Sequence, residues 1–269
     1  PNTKYVFTMH DLAFHIFPEF SSRKSQLWHK IVKPKKLCEN AAAIIVPSKS
    51  TAWDVQKRFG ISEEKVHVVP HGVSDEFSHE PKPIDLEIEQ KYILPERFIL
   101  FVGDLDPRKN LLALIDAVTN YRIETGDNLH LVIVGKGSLE NESADKKEFI
   151  HFLGYIPDEH RAPLYRLAAT TVFPSIYEGF GFPILESMAS GTPVITSHTS
   201  SLPEVGGDAA IYIDPYNSND IVLALKQLLS SKELQNKLIL SGLERVKDYT
   251  WKKAAEKTRD VFLSTIDKN

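Results

Sequence analysis

The sequence runs to 269 residues, with Lys+Arg 32, Asp+Glu 36, a single Cys, 16 Pro and 13 Gly. Apolar content of 42% and charged content of 25% exclude wholesale disorder, and at ~100–200 residues per domain the length suits two domains or one large one. A net charge of −4 excludes a general polyanion binder, so no nucleic-acid partner is expected, and the lone Cys38 excludes an internal disulfide and a thiolate metal cluster.

The chain opens Pro-Asn-Thr-Lys and enters the apolar run Tyr5–Met9 directly, a start expected inside a domain. Ala43–Val46 and Val66–Val69 read as further strands, with a helix at about Ser50–Phe59 between them. Ser78–Asp85, Pro-rich and charged, reads as an inter-domain linker. Beyond it, apolar runs at Phe98–Val102, Leu129–Val134, Phe149–Leu153, Thr171–Phe173, Val194–Thr196 and Ala210–Ile213 alternate with helical patterns at Leu111–Tyr121, Glu159–Ala168, Pro183–Ala189 and Ser218–Leu229. Strands apolar throughout, separated by helices, indicate a parallel sheet covered on both faces, hence an α/β, doubly wound fold. After Ser230 the chain reads as helical, ending in an amphipathic helix at Trp251–Ile266. The division expected is 1–83 for part of a first Rossmann-like domain, 84–250 for a second, and 251–269 for a terminal helix packing back on the first. Cys38 reads as a buried thiol of a reducing compartment, and the absence of a signal-peptide pattern makes the cytoplasm the expected location.

Two segments concentrate chemistry. Glu178-Gly-Phe-Gly-Phe-Pro-Ile-Leu-Glu186 follows a strand and opens a helix. Gly179 and Gly181 allow close backbone approach and present N–H groups to an anion, with a carboxylate on either side. Gly103-Asp-Leu-Asp-Pro-Arg108-Lys109-Asn110 joins a strand to the next helix, with Asn110 as the expected N-cap. Arg and Lys before a helix N-terminus oppose the helix dipole unless an anion sits there, and a forked Arg beside a point-charge Lys suits a diphosphate. Asp104 and Asp106 have the spacing to hold a divalent ion, but the Arg-Lys pair supplies the positive charge, so no metal or other cofactor is expected. His10-Asp11, at the carboxyl end of the first strand, points towards a cleft and could meet a sugar hydroxyl. Gly135-Lys-Gly137 lacks the third glycine of a dinucleotide loop.

In order, His10-Asp11, Val-Pro-Ser at 46–48, Val-Val-Pro-His-Gly-Val at 68–73, Phe-Val-Gly at 101–103 and Pro-Arg-Lys-Asn at 107–110 are followed by the 178–186 segment. Gly-Thr-Pro-Val-Ile at 191–195 and Leu-Pro-Glu-Val at 202–205 complete the series. This pattern resembles the retaining glycosyltransferases of family 4, with the GT-B fold, over essentially the whole chain. The resemblance implies that Arg108 and Lys109 neutralise the donor diphosphate, Glu186 holds the ribose hydroxyls and Glu178 faces the donor sugar. It also implies that Gly103, Gly179, Phe180, Gly181 and Phe182 line the donor, and that His10 approaches its sugar. The opening strand and glycine-rich loop of the family are missing, so the first domain is expected to be incomplete and activity of this chain is in question. The implied partners are a nucleotide sugar, with GDP-mannose the first guess, and a glycan or lipid-linked acceptor. Two rivals are a GT-B sugar-nucleotide epimerase and an inactive nucleotide-binding protein.

Residues 23–36 carry six Lys or Arg and no acid, with Leu27, Trp28, Ile31 and Val32 at helical spacing. Two readings compete: an ordinary amphipathic helix whose apolar face packs on the first domain, and an interfacial helix making peripheral contact with an anionic membrane.

Overall fold

The computed structural model describes residues 4–20, 22–137 and 148–266. Residues 1–3 and 267–269, the outer ends of two expected segments, lie outside the described residues, as does the side chain of Arg23. Two parallel sheets organise the chain. The first has the order β1 (Val6–Thr8), β2 (Ala43–Val46), β3 (Val66–Val68). The second contains β4 (Phe98–Val102), β5 (His130–Val134), β6 (Ile150–Gly154), β7 (Thr170–Phe173), β8 (Val194–Ser197) and β9 (Ala210–Ile213), in the spatial order β6-β5-β4-β7-β8-β9.

The central strands β2 and β4 are apolar throughout because both faces are covered. In β4, Ile99 and Phe101 pack with Leu114, Ile115 and Leu225 on one side. Phe98 and Leu100 pack with Val132 and Tyr165 on the other. In the first sheet, Ile44 and Val46 meet Ala52, Val55 and Phe59 of the helix Lys49–Phe59. Its opposite face, Ala43, Ile45 and Val69, is covered by Ala254 and Val261 of the helix Trp251–Ile266, so the chain's end crosses back to the first sheet. The two crossings touch: Val73 N–H donates to Tyr249 O at 3.0 Å, and a Cβ on Gly72 would lie 2.1 Å from the Trp251 nitrogen. Cys38 is fully buried, and burial, then the charge of Glu39, pushes its thiol pKa up to about 11.

The strands and helices read from periodicity are present with small shifts at their ends. Four readings differ from the structure. The span 78–85 is not all linker, because the helix Pro83–Tyr92 begins within it. Lys82 N–H donates to Asp85 Oδ2 at 3.0 Å, and Asp85 pairs with Arg166 in the interior. Burial alone would raise the Asp85 pKa, but the Arg166 and Lys82 contacts outweigh it and the net shift is downward. Asn110 occupies the N-cap position in a left-handed conformation, but its side chain makes no cap bond; Nδ2 donates to Pro215 O at 2.6 Å. The helix that follows runs to Thr125, one turn beyond the expected end. Residues 23–36 break into the helices Arg23–Val32 and Pro34–Asn40, because Pro34 disfavours helical backbone at Lys33, which is left-handed.

Within the first helix of that pair, Leu27, Trp28 and Ile31 are 59%, 57% and 70% exposed, so this apolar face does not pack on the domain. The opposite face holds the helix in place: His29 stacks on Phe14 and Gln26 Nε2 donates to Pro18 O. No helix among the described residues is long and apolar enough to cross a membrane.

Candidate active site

In a doubly wound sheet, ligands gather where the strand order reverses, beyond the carboxyl ends. Here the reversal lies between β4 and β7, which pair through Ile99–Thr170 and Leu100–Thr171 while β5 lies on the other side of β4. The loops leaving β4 and β7 are the two segments singled out above. They are bound together: Lys109 Nζ lies 2.7 Å from Glu178 Oε1, and Arg108 Nη1 lies 3.0 Å from Glu178 Oε2. Arg108 Nη1 also donates to Tyr177 O at 2.6 Å. Burial works against the Arg108 charge, but Glu178, Asp106 and Asp11 favour it, and its pKa is raised.

Asp104 and Asp106 have local structural work. Asp106 Oδ1 accepts from Arg108 N at 2.8 Å and caps the short turn Pro107–Lys109, while Asp104 Oδ1 accepts from Lys136 N at 2.9 Å. Gly103 itself is not sterically required, since a Cβ there would make ordinary contacts. The packing demand falls on Gly135, whose Cβ would lie 2.0 Å from Gly103 O. The Gly135–Gly137 segment, set aside as a dinucleotide loop, therefore buttresses the β4 loop.

The loop after β7 is anchored from behind. Ser200 Oγ accepts from Glu178 N at 2.9 Å, and Ser201 Oγ donates to Glu178 O and Phe180 O at 2.9 and 2.7 Å. Gly181, with φ 122, sits where an L side chain would be strained, at the start of the helix Phe182–Ala189. Phe180 is buried, and Phe182 stacks on His71, so these aromatic rings are committed to packing. Glu186 lies in that helix at 6% exposure; Tyr165 Oη donates to its Oε2 at 2.8 Å and Arg161 Nη2 pairs with Oε1. Burial, then the charge of Glu186, drives the Tyr165 pKa well above its ordinary value.

The first sheet supplies the opposite wall. His10 is exposed beyond β1, and its ring lies 5.7 Å from that of His71. Gly179 packs directly beneath it: a Cβ there would lie 2.1 Å from His10 O. Further bonds close the cleft at its side. Ser48 Oγ and Thr51 Oγ1 donate to Gly179 O, Tyr177 Oη donates to Asp54 Oδ2 at 2.9 Å, and Glu204 accepts from Lys49 N at 2.8 Å. The structure thus gathers His10, Arg108, Lys109, Glu178 and Gly179, with Glu186 further along the helix. Sequence reasoning missed Arg161, Tyr165, Tyr177 and the Ser200–Ser201 anchor; His71, within a quoted motif, reads from sequence only as shaping a turn.

The sequence model described as glycosyl transferases group 1 matches residues 85–245. The chain belongs to that family. A second family description, glycosyltransferase family 4, matches residues 1–77. An O-antigen chain mannosyltransferase B of Escherichia coli is 29% identical over 265 residues, covering 96% of this chain and 69% of the relative. A serotype-specific mannosyltransferase, WbdA, of Escherichia coli is 30% identical over 81% of this chain, but the match spans only 28% of that longer protein. Among solved structures, sucrose-phosphate synthase from Thermosynechococcus elongatus superposes with a TM-score of 0.77 over 99% of this chain and 69% of its own, at 24% identity. This glycosyltransferase is thus a transferase by family, with a GT-B fold, and such enzymes use nucleotide-sugar donors and glycan acceptors.

Proposed function

We propose that this glycosyltransferase moves a mannosyl unit, with retention and without a metal ion, from GDP-mannose to a glycan or lipid-linked acceptor. The observation that carries the reading is the convergence of Arg108 and Lys109 on Glu178 at the strand-order reversal. The two cations are preorganised where a diphosphate would develop charge on leaving, beside the glycine-bearing loop 179–182 that opens the next helix. Glu178 faces the donor sugar and opposes positive charge growing at its anomeric carbon in an oxocarbenium-like transition state. Glu186 receives the ribose hydroxyls, and Arg161 and Tyr165 fix its orientation. His10 meets the donor sugar from the first domain. The names of two relatives support mannose as the sugar. The exposed Leu27, Trp28 and Ile31, with exposed Lys24, Lys30, Lys33, Lys35 and Lys36 around them, support peripheral contact with an anionic bilayer through 23–36.

The test compares GDP with guanosine by calorimetry. Arg108→Ala and Lys109→Ala are each expected to weaken GDP by ~2 kcal/mol, roughly 30-fold, because each removes a charge-assisted contact. Guanosine affinity should stay unchanged. Equal losses for both ligands would remove the two cations from the diphosphate site.

A further inference from the structure

Behind the exposed face of the helix Arg23–Val32 lies a cavity of about 340 Å³. Its floor is apolar, with Phe14 and Phe59, while Lys30, Lys33 and Lys35 line it with cations. His29 lines it too, and its Nδ1 is buried with no hydrogen-bond partner among the described residues. The short helix Ala13–Ile16, which carries Phe14 and His15, follows His10-Asp11 directly, so the cavity adjoins the catalytic cleft. Leu12 N–H donates to Tyr177 Oη at 3.3 Å and the Phe17 ring lies 5.8 Å from that of Tyr177, the neighbour of Glu178, which ties this helix to the cleft.

We propose that this cavity binds the phosphate and the first stretch of aliphatic chain of a lipid-linked acceptor. The inference rests on the acceptor reading given above and names the part of the acceptor held. Free phosphate would leave the aromatic floor unfilled, and a neutral hydrocarbon would leave the cations of Lys30 and Lys33 unanswered, while Lys35 already lies 3.9 Å from Glu39. A phosphate monoester of an aliphatic alcohol answers both. Ligand pockets run from ~300 to 1,000 Å³, so this one takes a segment of chain and not a whole lipid. Leu27, Trp28 and Ile31 do not line the cavity, and the rest of the chain would leave it without crossing them. The acceptor's sugar end would extend the other way, past Asp11 towards His10.

Calorimetry with farnesyl phosphate below its micelle-forming concentration tests the site, with inorganic phosphate and farnesol as controls. Farnesyl phosphate is expected to bind at least tenfold more tightly than either control. The double variant Lys30→Gln/Lys35→Gln should weaken it about tenfold or more, since two charge-assisted contacts are lost. The variant Leu27→Ser/Trp28→Ser/Ile31→Ser should keep farnesyl phosphate affinity yet lose sedimentation with vesicles of phosphatidylcholine and phosphatidylglycerol. Farnesol or inorganic phosphate binding as tightly as farnesyl phosphate would overturn the proposal. So would an unaffected lysine variant, or a serine variant that loses the monomeric ligand along with the vesicles. GDP titrated into the same samples separates the failures: GDP binding without farnesyl phosphate binding sinks the cavity alone, whereas loss of both sinks the glycosyltransferase site.

Discussion

Replacing Gly179 by alanine drives a wedge between the two halves of the cleft. The new Cβ would lie 2.1 Å from His10 O and 2.7 Å from the Asp11 Cβ, where ordinary contact begins at 3.4 Å. The nearer obstacle is backbone, so no rotamer change relieves it; the His10–Asp11 segment and the 178–180 loop must part by about 1.3 Å. Gly179 is not in the left-handed region, so the substitution probes close approach without adding backbone strain. Parting the two segments stretches the bonds from Ser48 and Thr51 to Gly179 O and from Tyr177 to Asp54, each worth ~1 kcal/mol net. Together they put ~3 kcal/mol against the closed form, which lowers its population relative to the open form roughly 100-fold. Transfer from a nucleotide sugar should fall by that order, and X-ray scattering in solution should show a larger radius of gyration. A Ser48→Ala/Thr51→Val variant, which removes the two bonds to Gly179 O without inserting a wedge, should lose ~30-fold. Transfer within threefold of the parent for Gly179→Ala, with unchanged scattering, would refute the reasoning.

Three other outcomes are expected. Glu186→Ala should weaken a ribonucleotide by ~1–3 kcal/mol and leave its 2′,3′-dideoxy counterpart unchanged, because the lost bonds go to the ribose hydroxyls; equal losses in calorimetry would remove Glu186 from the ribose site. Turnover should survive EDTA, since Arg108 and Lys109 oppose the diphosphate charge; loss restored by magnesium or manganese would promote Asp104 and Asp106 to ligands. Burial, then the neighbouring His10, lowers the His71 pKa to about 4, so between its ordinary 6.5 and that value the unfolded chain binds the extra proton. Stability should therefore fall as pH drops from 6.5 towards 4 and level off below, and His71→Phe should flatten that slope in thermal melts; an unchanged slope would deny His71 the role.

Much of the second sheet was legible because its central strand β4 is buried on both faces, which leaves a continuous apolar run. β4, at Phe98–Val102, matches the expected bounds for that reason, and β9, at Ala210–Ile213, matches them on its apolar run although most of it is half-buried. The helix Pro83–Tyr92 was hidden by the same logic in reverse. Asp85 carries a charge that suggests solvent, yet it is buried because Arg166, 81 residues away, arrives to meet it. No local pattern encodes a partner that only the tertiary fold delivers.

The site divides along the same line. Arg108, Lys109, Gly179 and Glu178 could be read because each breaks a local rule: cations precede a helix N-terminus, and glycines interrupt a strand-to-helix junction. Arg161, Tyr165 and Ser201 break none. Arg161 opens an unremarkable helix and Tyr165 counts as one more apolar residue in it, so only Glu186 against them reveals that they set a carboxylate's direction. Residues that face a ligand pay a local cost that sequence exposes, whereas residues that hold those groups in place are locally at ease. The exposed Leu27–Ile31 face belongs with the first kind: its spacing was visible, but only the packing of His29 on Phe14 decided which way it points. That orientation turns the apolar stripe outward and leaves the cation-lined cavity behind it, next to the cleft.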